Sequence, residues 1–407
     1  MGGYEDVLNS LNPAEKNGKK AAVIGGGPAG MACAYYLAKA GTEVTLYEKT
    51  DSLGGVVCHV IPEFRIPAAS VEKDASFLRK LGVDIQLNVE IENAQALRKQ
   101  GYDAVILAVG ASKPGELSLE KGGVINALEF LKEFKEKDGD VMIGKNVAVI
   151  GGGNTAMDTA RAAKRTKGVE HVYLVYRRTK RYMPADEEEL LMAVEDGVEF
   201  KELLSPVLLE DGELVCKVME LSDPDETGRR SVKSIGKRTG IPADTVIAAV
   251  GEQVPSDFYQ ENGIQVDSRG RAKTDPETLM TSQEGIYVIG DGLCGPATVV
   301  EGMRDAMLAA SDILGSSVSR GNDNPAQKSD CCEKKGILKD SKEEKPEQRC
   351  LGCDVVCENC VDVCPTGPMY LSMCRDSKKT RSFISTICAM SAGIAGASAV
   401  RQCALSG

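Results

Sequence analysis

The stretch AAVIGGGPAGMACAYYLAKAGTEVTLYEK, residues 21–49, is the most informative local pattern in the chain. It predicts a buried strand, a tight glycine turn, a helix and a second strand that ends at Glu48. In such a unit Gly25 allows the turn, Gly27 lets the backbone approach a pyrophosphate, and Gly30 lets helix and strand pack closely. An acidic residue after the second strand accepts hydrogen bonds from ribose hydroxyls, so the stretch predicts a dinucleotide site.

The same plan returns at residues 146–178, where NVAVIGGGNTAMDTARAAKRTKGVEHVYLVYRR again predicts strand, turn, helix and strand. Here Ala156 replaces the third glycine, and Arg177 and Arg178 follow the second strand instead of a carboxylate. Arginines at this position suit a 2′-phosphate, although they could also be ordinary surface charge. The two units therefore predict two different dinucleotides, FAD at the first and NADPH at the second.

Further segments predict how these two units are completed. YDAVILAVG at 102–110 is echoed by ADTVIAAVG at 243–251, and GIYVIGDG at 285–292 precedes a helical pattern. The order predicts an α/β fold of two Rossmann-like dinucleotide-binding domains, one inserted into the other. The predicted segments are an N-terminal arm over 1–19, an FAD-binding domain over 20–115 and 270–315, an NAD(P)H-binding domain over 116–269, a polar linker over 316–349, a cysteine-rich segment over 350–374 and an irregular tail over 375–407.

Composition excludes several classes of partner. The chain has 407 residues and a formal net charge of −11, with no basic stripe, which argues against nucleic acid and anionic membrane surfaces. No apolar run reaches the roughly 18 residues that a membrane-spanning helix needs. Residues 1–20 are largely polar and lack the apolar stretch of a secretory signal. These features predict a cytoplasmic location.

Ten of the 14 cysteines lie after residue 330. Five follow the spacing C-x2-C-x3-C-x2-C-x3-C-P, which is close to the ferredoxin run that holds a 4Fe–4S cluster. The predicted metal ligands are Cys350, Cys353, Cys357, Cys360 and Cys364. Zinc, which also binds paired CxxC units, and a segment without metal remain alternatives. The tail after this segment shows no helix or turn pattern, and one hypothesis is that a frameshift in the gene produced it.

Five motifs carry a resemblance to a known family. They are IGGGPAG, LGGVVCHVIPEFRIP at 53–67, IGGGNTAMDTAR at 150–161, YRRTKRYMPADEEE at 176–189, and IGDG with GPATVVEGM at 289–303. Together they resemble the NADPH-dependent FAD oxidoreductase module of the glutamate synthase small subunit. The N-terminal half of dihydropyrimidine dehydrogenase and iron–sulfur flavoproteins of the selenate reductase type share this module. With its cysteine run, the chain is most similar to the selenate reductase type.

The resemblance implies roles for residues at matching positions. Asp291 would hold a ribityl hydroxyl, and the amides near Ala297, Thr298 and Val299 would face the flavin ring with the positive end of a helix. The full set of expected cofactor-binding residues is Gly25, Gly27, Pro28, Ala29, Gly30, Glu48, Lys49, Gly55, Val56, Arg65, Gly110, Gly151, Gly153, Asn154, Thr155, Ala156, Arg177, Arg178, Ala249, Gly251, Asp291, Ala297, Thr298 and Val299.

The expected function is transfer of hydride from NADPH to FAD, then of single electrons through iron–sulfur to a partner protein or subunit. Such a transfer needs placement of two cofactors rather than a protein acid or base, so no catalytic residue is predicted. One alternative is a truncated FAD-binding fragment without catalytic output. Another is a thiol–disulfide reductase, which the sequence disfavours because Cys58 has no second cysteine nearby. The final acceptor and the oligomeric state stay open.

Overall fold

A computed structural model describes residues 8–111, 113–224 and 230–316. The predicted cysteine-rich segment, its five metal ligands, the tail and almost all of the linker lie outside these residues. The described residues form two compact units. The first comprises 8–54, 69–110 and 254–316, and the second comprises Gly55–Ala68 and Ala111–Gln253.

The first unit is built on a five-stranded parallel sheet. Its strands are β1 (Lys20–Ile24), β2 (Glu43–Tyr47), β3 (Asp84–Gln86), β4 (Ala104–Leu107) and β15 (Ile286–Val288). They lie in the order β3-β2-β1-β4-β15, which is the Rossmann order. Its helices are α1 (Pro28–Lys39), α3 (Ala68–Lys80), α4 (Ala94–Lys99), α8 (Ser256–Glu261), α9 (Asp291–Cys294) and α10 (Val299–Leu314). Every residue of β4 is buried, as expected for a strand covered on both faces.

The second unit repeats this architecture. Its parallel sheet has the order β9-β8-β7-β13-β6. The strands are β6 (Ile125–Asn126), β7 (Asn146–Gly151), β8 (His171–Tyr176), β9 (Glu199–Glu202) and β13 (Thr245–Ala249). The helices are α2 (Val56–His59), α5 (Ala127–Glu136), α6 (Asn154–Arg165) and α7 (Glu187–Glu195), with a 3₁₀ turn at Lys180–Tyr182. Two antiparallel sheets complete the unit: β10 (Leu204–Glu210) with β11 (Glu213–Pro224) and β12 (Arg230–Pro242), and β5 (Lys113–Pro114) with β14 (Glu252–Gln253).

Two apolar clusters cover the two faces of the parallel sheet in the second unit. Val147 and Val149 of β7 pack with Phe130 and Met157 of the helices. Ala148 and Ile150 of the same strand pack instead with Leu214, Cys216 and Ile241 of the antiparallel sheet. Alternate residues of one strand therefore serve two cores, which explains why the sequence of this strand is apolar almost without interruption. The predicted α/β class with two parallel, Rossmann-like sheets is confirmed.

The division of the chain differs from the predicted boundaries in three places. Residues 254–269 belong to the first unit, where Tyr259 donates a hydrogen bond to the carbonyl of Gly292 at 2.8 Å. Residues 55–68 and 111–115, predicted with the FAD-binding domain, belong to the second unit. The division depends on contacts between segments distant in sequence, and motif spacing carries no information about such contacts.

Arg65 attaches the 55–68 segment to the second unit. Its guanidinium donates to Asp158 of α6 at 2.5 Å and to Glu189 of α7 at 2.5 Å, and all three side chains are at least 88% buried. Burial raises the pKa of the Asp158 carboxyl to about 6, although Arg65 opposes the shift. Lys135 of α5 adds a hydrogen bond to the carbonyl of Ile61 at 2.8 Å. Since buried charges are costly alone, the segment and the two helices depend on each other.

Replacing Arg65 tests this attachment. Arg65→Leu leaves the Asp158 carboxylate buried without its cation and leaves Glu189 with Arg161 alone, at 4.0 Å. We therefore expect a loss of about 3–5 kcal/mol in the free energy of unfolding. Urea unfolding followed by circular dichroism measures the loss. The matched control is Arg79→Leu, because Arg79 pairs with Glu72 at an exposed site, and we expect it to change stability by less than about 1 kcal/mol. Equal small losses in both variants would contradict the structural role of Arg65.

Candidate functional site

The first phosphate loop joins β1 to α1, and two of its glycines are required by internal packing. A Cβ on Gly25, which has φ +105°, would lie 2.3 Å from the carbonyl oxygen of Ala108. A Cβ on Gly30 would lie 1.9 Å from the carbonyl oxygen of Gly25. Gly27 differs, since nothing lies within 4 Å of the position its Cβ would take. It caps α1 without any side-chain hydrogen bond, so the loop leaves room beside the helix amides that favour phosphate.

Glu48 lies at the carboxyl end of β2, beside this loop. The side chain is buried, and one carboxylate oxygen accepts a hydrogen bond from the amide of Gly26 at 2.7 Å. The other oxygen accepts from the amide and the hydroxyl of Thr50, both at 2.8 Å. A carboxylate offers about four acceptor positions, so Glu48 can still accept a hydrogen bond from a ribose hydroxyl. The arrangement fits the adenosine half of a dinucleotide.

The loop before α10 holds the other residues expected near a flavin. Asp291 accepts a hydrogen bond from the amide of Ala297 at 3.1 Å. Glu301 accepts one from the amide of Thr298 at 2.8 Å, and the Thr298 hydroxyl accepts from the amide of Glu301, which completes a capping box. Two of the three amides expected to face the flavin therefore already have acceptors, because Asp291 begins α9 and Glu301 lies in the first turn of α10. The hydrogen bonds from Thr298 lower the pKa of Glu301, which places negative charge at this helix start.

The second phosphate loop, between β7 and α6, has the same internal packing as the first. A Cβ on Gly151 would lie 2.2 Å from the carbonyl oxygen of Ala249. The carbonyl oxygen of Ala108 occupies the same position beside Gly25 in the first loop. Gly153 again has open space, with Pro184 as its nearest neighbour at 4.0 Å, and it caps α6 without a side-chain hydrogen bond. The side-chain oxygen of Asn154 is buried and finds no hydrogen-bond partner among the described residues. A ligand donor is the natural partner for such an atom.

The register of the two sheets shows which residue takes the position of Glu48 in the second unit. Ile24 pairs with Tyr47, and Ile150 pairs with Val175, so the residue after the paired one is Glu48 in one unit and Tyr176 in the other. A Cβ on Gly152 would lie 2.4 Å from the Tyr176 ring. Sequence reasoning compared Glu48 with the arginines and missed Tyr176, because the stretches between loop and strand end differ in length.

Four cations follow Tyr176. Arg177 is exposed, Arg178 is half-buried, and Lys180 and Arg181 of the 3₁₀ turn are exposed. The buried Nε of Arg178 has no hydrogen-bond partner, and none of the ion pairs among the described residues includes these four side chains. An aromatic residue and cations without a carboxylate partner among the described residues fit a 2′-phosphate at the end of β8 better than a ribose hydroxyl. The sequence prediction did not include Lys180 and Arg181. Their position within a few residues of the end of β8 could have indicated that they also lie near the phosphate.

The described cysteines do not form a redox pair. Cys33 and Cys216 are buried, which raises the pKa of each thiol to about 12. None of Cys33, Cys58, Cys216 and Cys294 forms a disulfide within the described residues. No group of three or more His, Cys, Asp or Glu side chains among the described residues could hold a metal ion.

Two Rossmann-like units, one with a carboxylate and one with cations after its second strand, define a two-dinucleotide oxidoreductase. The chain belongs to the pyridine nucleotide-disulphide oxidoreductase family, whose model matches residues 19–306. It is therefore an oxidoreductase, and FAD and NADPH are the cofactors that fit its two loops.

The chain is also similar in sequence to known proteins of this kind. The chain is 38% identical over 367 residues to the Escherichia coli K12 protein named "Putative oxidoreductase YgfK", covering 84% of this chain and 35% of that protein. It is 34% identical over 322 residues to the glutamate synthase [NADPH] small chain of Halomonas elongata, covering 73% of this chain and 67% of that one. The predicted resemblance is confirmed, and the chain spans little more than a third of the first relative.

A solved structure supports the fold alone. The His57Gln mutant of FprA from Mycobacterium tuberculosis superposes with a TM-score of 0.62 at 20% sequence identity. The match covers 75% of this chain and 84% of that chain.

The two open glycines provide a test of where the cofactors bind. We expect Gly27→Ala to lower FAD retention and Gly153→Ala to weaken NADPH binding, because each new methyl would enter space beside a helix start. Any loss of thermal stability in the cofactor-free variants should be small and similar in both, because glycine is preferred to alanine at a helix N-cap. No steric cost is expected, since nothing lies within 4 Å of the Gly27 position and only Pro184 approaches Gly153. Gly123→Ala is the control, because its Cβ also meets nothing within 4 Å. Normal cofactor binding in both loop variants would place the pyrophosphates elsewhere.

Proposed function

We propose that this chain takes hydride from NADPH through FAD and delivers single electrons to a partner protein or subunit. The observation that carries the proposal is the pair of phosphate loops whose neighbouring strands end differently, in buried Glu48 and in Tyr176 followed by arginines. The chemistry that a bound FAD supplies is acceptance of a hydride and release of electrons one at a time. A relative named as a small chain supports a partner subunit for this module.

The residues of the chain bind and orient rather than react. The amides after Gly27 and Gly153, with the dipoles of α1 and α6, favour the two pyrophosphates. Glu48 accepts a ribose hydroxyl in the first unit. In the second unit Arg177 and Arg178 hold the 2′-phosphate, with Lys180 and Arg181 adding positive charge. The roles of Lys49, Gly55, Val56, Gly110 and Asp291 toward FAD stay predictions, as do those of Ala249 and Gly251 toward NADPH.

Arg65 needs separate comment, because the resemblance predicts that it lines the FAD site. The structure shows its guanidinium between Asp158 and Glu189 of the second unit. The contact with FAD therefore stays a prediction, while the ion pairs give the side chain a role of its own.

The electron outlet is proposed from the sequence outside the described residues. The run from Cys350 to Cys364 has nearly the spacing of a ferredoxin cluster, and a 4Fe–4S cluster there would accept single electrons. A cytoplasmic location also stays a prediction. Within the described ranges, no helix combines the length and apolar character required to cross a membrane.

Anaerobic titration of the purified chain with NADPH tests the proposed function. We expect the absorbance band of oxidised flavin to disappear as NADPH is added, with electron paramagnetic resonance reporting any reduced cluster. Excess NADH is the matched control and should act more slowly. A bound flavin that NADPH cannot reduce would contradict the proposal and favour a fragment without catalytic output.

Replacing the two arginines tests which dinucleotide the second unit selects. For Arg177→Ala combined with Arg178→Ala, we expect kcat/KM for NADPH to fall roughly 100-fold or more, since charged hydrogen bonds contribute about 1.5–3 kcal/mol each. The value for NADH should change by less than about threefold, because NADH has no 2′-phosphate. Steady-state reduction of ferricyanide measures both. Arg238→Ala on the exposed strand β12 is the control, and an unchanged NADPH value in the double variant would refute the assignment.

A further inference from the structure

Glu252 lies at the switch point of the second parallel sheet. β7 pairs with β8 on one side and with β13 on the other, so a dinucleotide at the carboxyl ends of these strands extends over both. Arg177 and Arg178 follow β8, which assigns the adenosine half to that side. The nicotinamide half then falls on the side of β13, and Glu252 comes three residues after Ala249, the last residue of β13.

The backbone of Glu252 is fixed by short antiparallel pairing. Glu252 in β14 pairs with Pro114 in β5, and the amide of Gly115 donates to the carbonyl of Gly251 at 2.8 Å. Gly251 has φ +105°, a conformation that glycine adopts without strain. The turn after β13 therefore presents one particular side chain, that of Glu252, at a defined position.

The carboxyl group of Glu252 faces the start of α6. It accepts a hydrogen bond from the hydroxyl of Thr155, the second residue of α6, at 3.0 Å. The side chain is half-buried, and burial raises the pKa of Glu252 although the hydrogen bond from Thr155 opposes the shift. No side chain caps the first amides of α6, so the carboxylate does not serve that purpose.

A carboxylate at this position is unfavourable for phosphate binding alone. Its charge would repel the pyrophosphate expected beside the same helix start. A neutral side chain would satisfy the Thr155 hydroxyl equally well. The carboxylate is an acceptor only, with about four acceptor positions of which Thr155 uses one. Its presence is explained if the ligand brings a hydrogen-bond donor to this side of the sheet.

We propose that Glu252 accepts a hydrogen bond from the carboxamide N–H of the nicotinamide and thereby orients the ring of NADPH. The inference rests on the proposed function, since it requires NADPH in the second unit. Glu252 is a specificity-determining residue in this view, and it exchanges no proton or electron with the cofactor. The carboxamide is the N–H donor of the nicotinamide half, and the hydroxyls of the adjoining ribose are the other donors there.

Binding measurements separate these donors without depending on turnover. Titration calorimetry on the full flavin-containing chain compares NADP⁺ with its 3-acetylpyridine analogue, in which an acetyl group without N–H replaces the carboxamide. For the natural protein we expect NADP⁺ to bind roughly 10- to 100-fold more tightly than the analogue. Glu252→Ala should reduce this preference to less than about threefold. Glu252→Gln should keep part of it, because the side-chain oxygen of glutamine still accepts hydrogen bonds.

The outcomes are distinct. Glu261→Ala, at the exposed end of α8, is the control and should preserve the full preference. If Glu252→Ala shifts the affinity for both ligands equally, in either direction, the carboxylate acts on the ribose, on the phosphates or on Thr155, and the inference is overturned. An unchanged preference in that variant also overturns it. Failure of the natural protein to bind NADP⁺ at all would instead remove the proposed function, and this inference with it.

Discussion

A carbonyl oxygen at the carboxyl end of a neighbouring strand fills the space beside the first glycine of each phosphate loop. The oxygen of Ala108 lies against Gly25, and that of Ala249 lies against Gly151. Any Cβ at either glycine would overlap main chain, which cannot move as a flexible side chain can. This close approach fixes the loop against the carboxyl ends of two adjacent strands, and it therefore fixes where each helix begins. The helix amides, the strand-end side chains and the space for a pyrophosphate all depend on that position.

The two units use one architecture for different ligands, and the difference is concentrated at one position. Buried Glu48 is tied to the amide of Gly26 in the first unit. The second unit places the ring of Tyr176 against Gly152 and lets cations follow. A carboxylate there would repel a 2′-phosphate, whereas an aromatic ring and arginines do not. A change of cofactor thus needs no change in the sheet. It needs only different residues at the carboxyl end of the second strand.

Buried ion pairs also join segments that are far apart in the chain. Arg65 lies more than 90 residues before Asp158. Its guanidinium nevertheless forms buried ion pairs with both Asp158 and Glu189. Such ion pairs fix the position of the 55–68 segment against α6 and α7 more than they add net stability, since desolvation offsets much of the attraction. Asp158 lies on α6, the helix whose first turn faces the second phosphate loop. The motif that contains Arg65 therefore has a structural role in the second unit, in addition to the flavin role predicted from the resemblance.

Local sequence pattern was enough to predict the two strand–loop–helix–strand units, their glycines and the unlike residues after their second strands. These features could be predicted because each depends on neighbouring residues and on fixed strand and helix periods. The equivalence of Tyr176 and Glu48 emerged from the fold, since register is a relation between strands. The same holds for the partners of Arg65 and for Glu252 beside Thr155. Each of these contacts joins residues more than 90 positions apart, and a single sequence contains no spacing rule that specifies them.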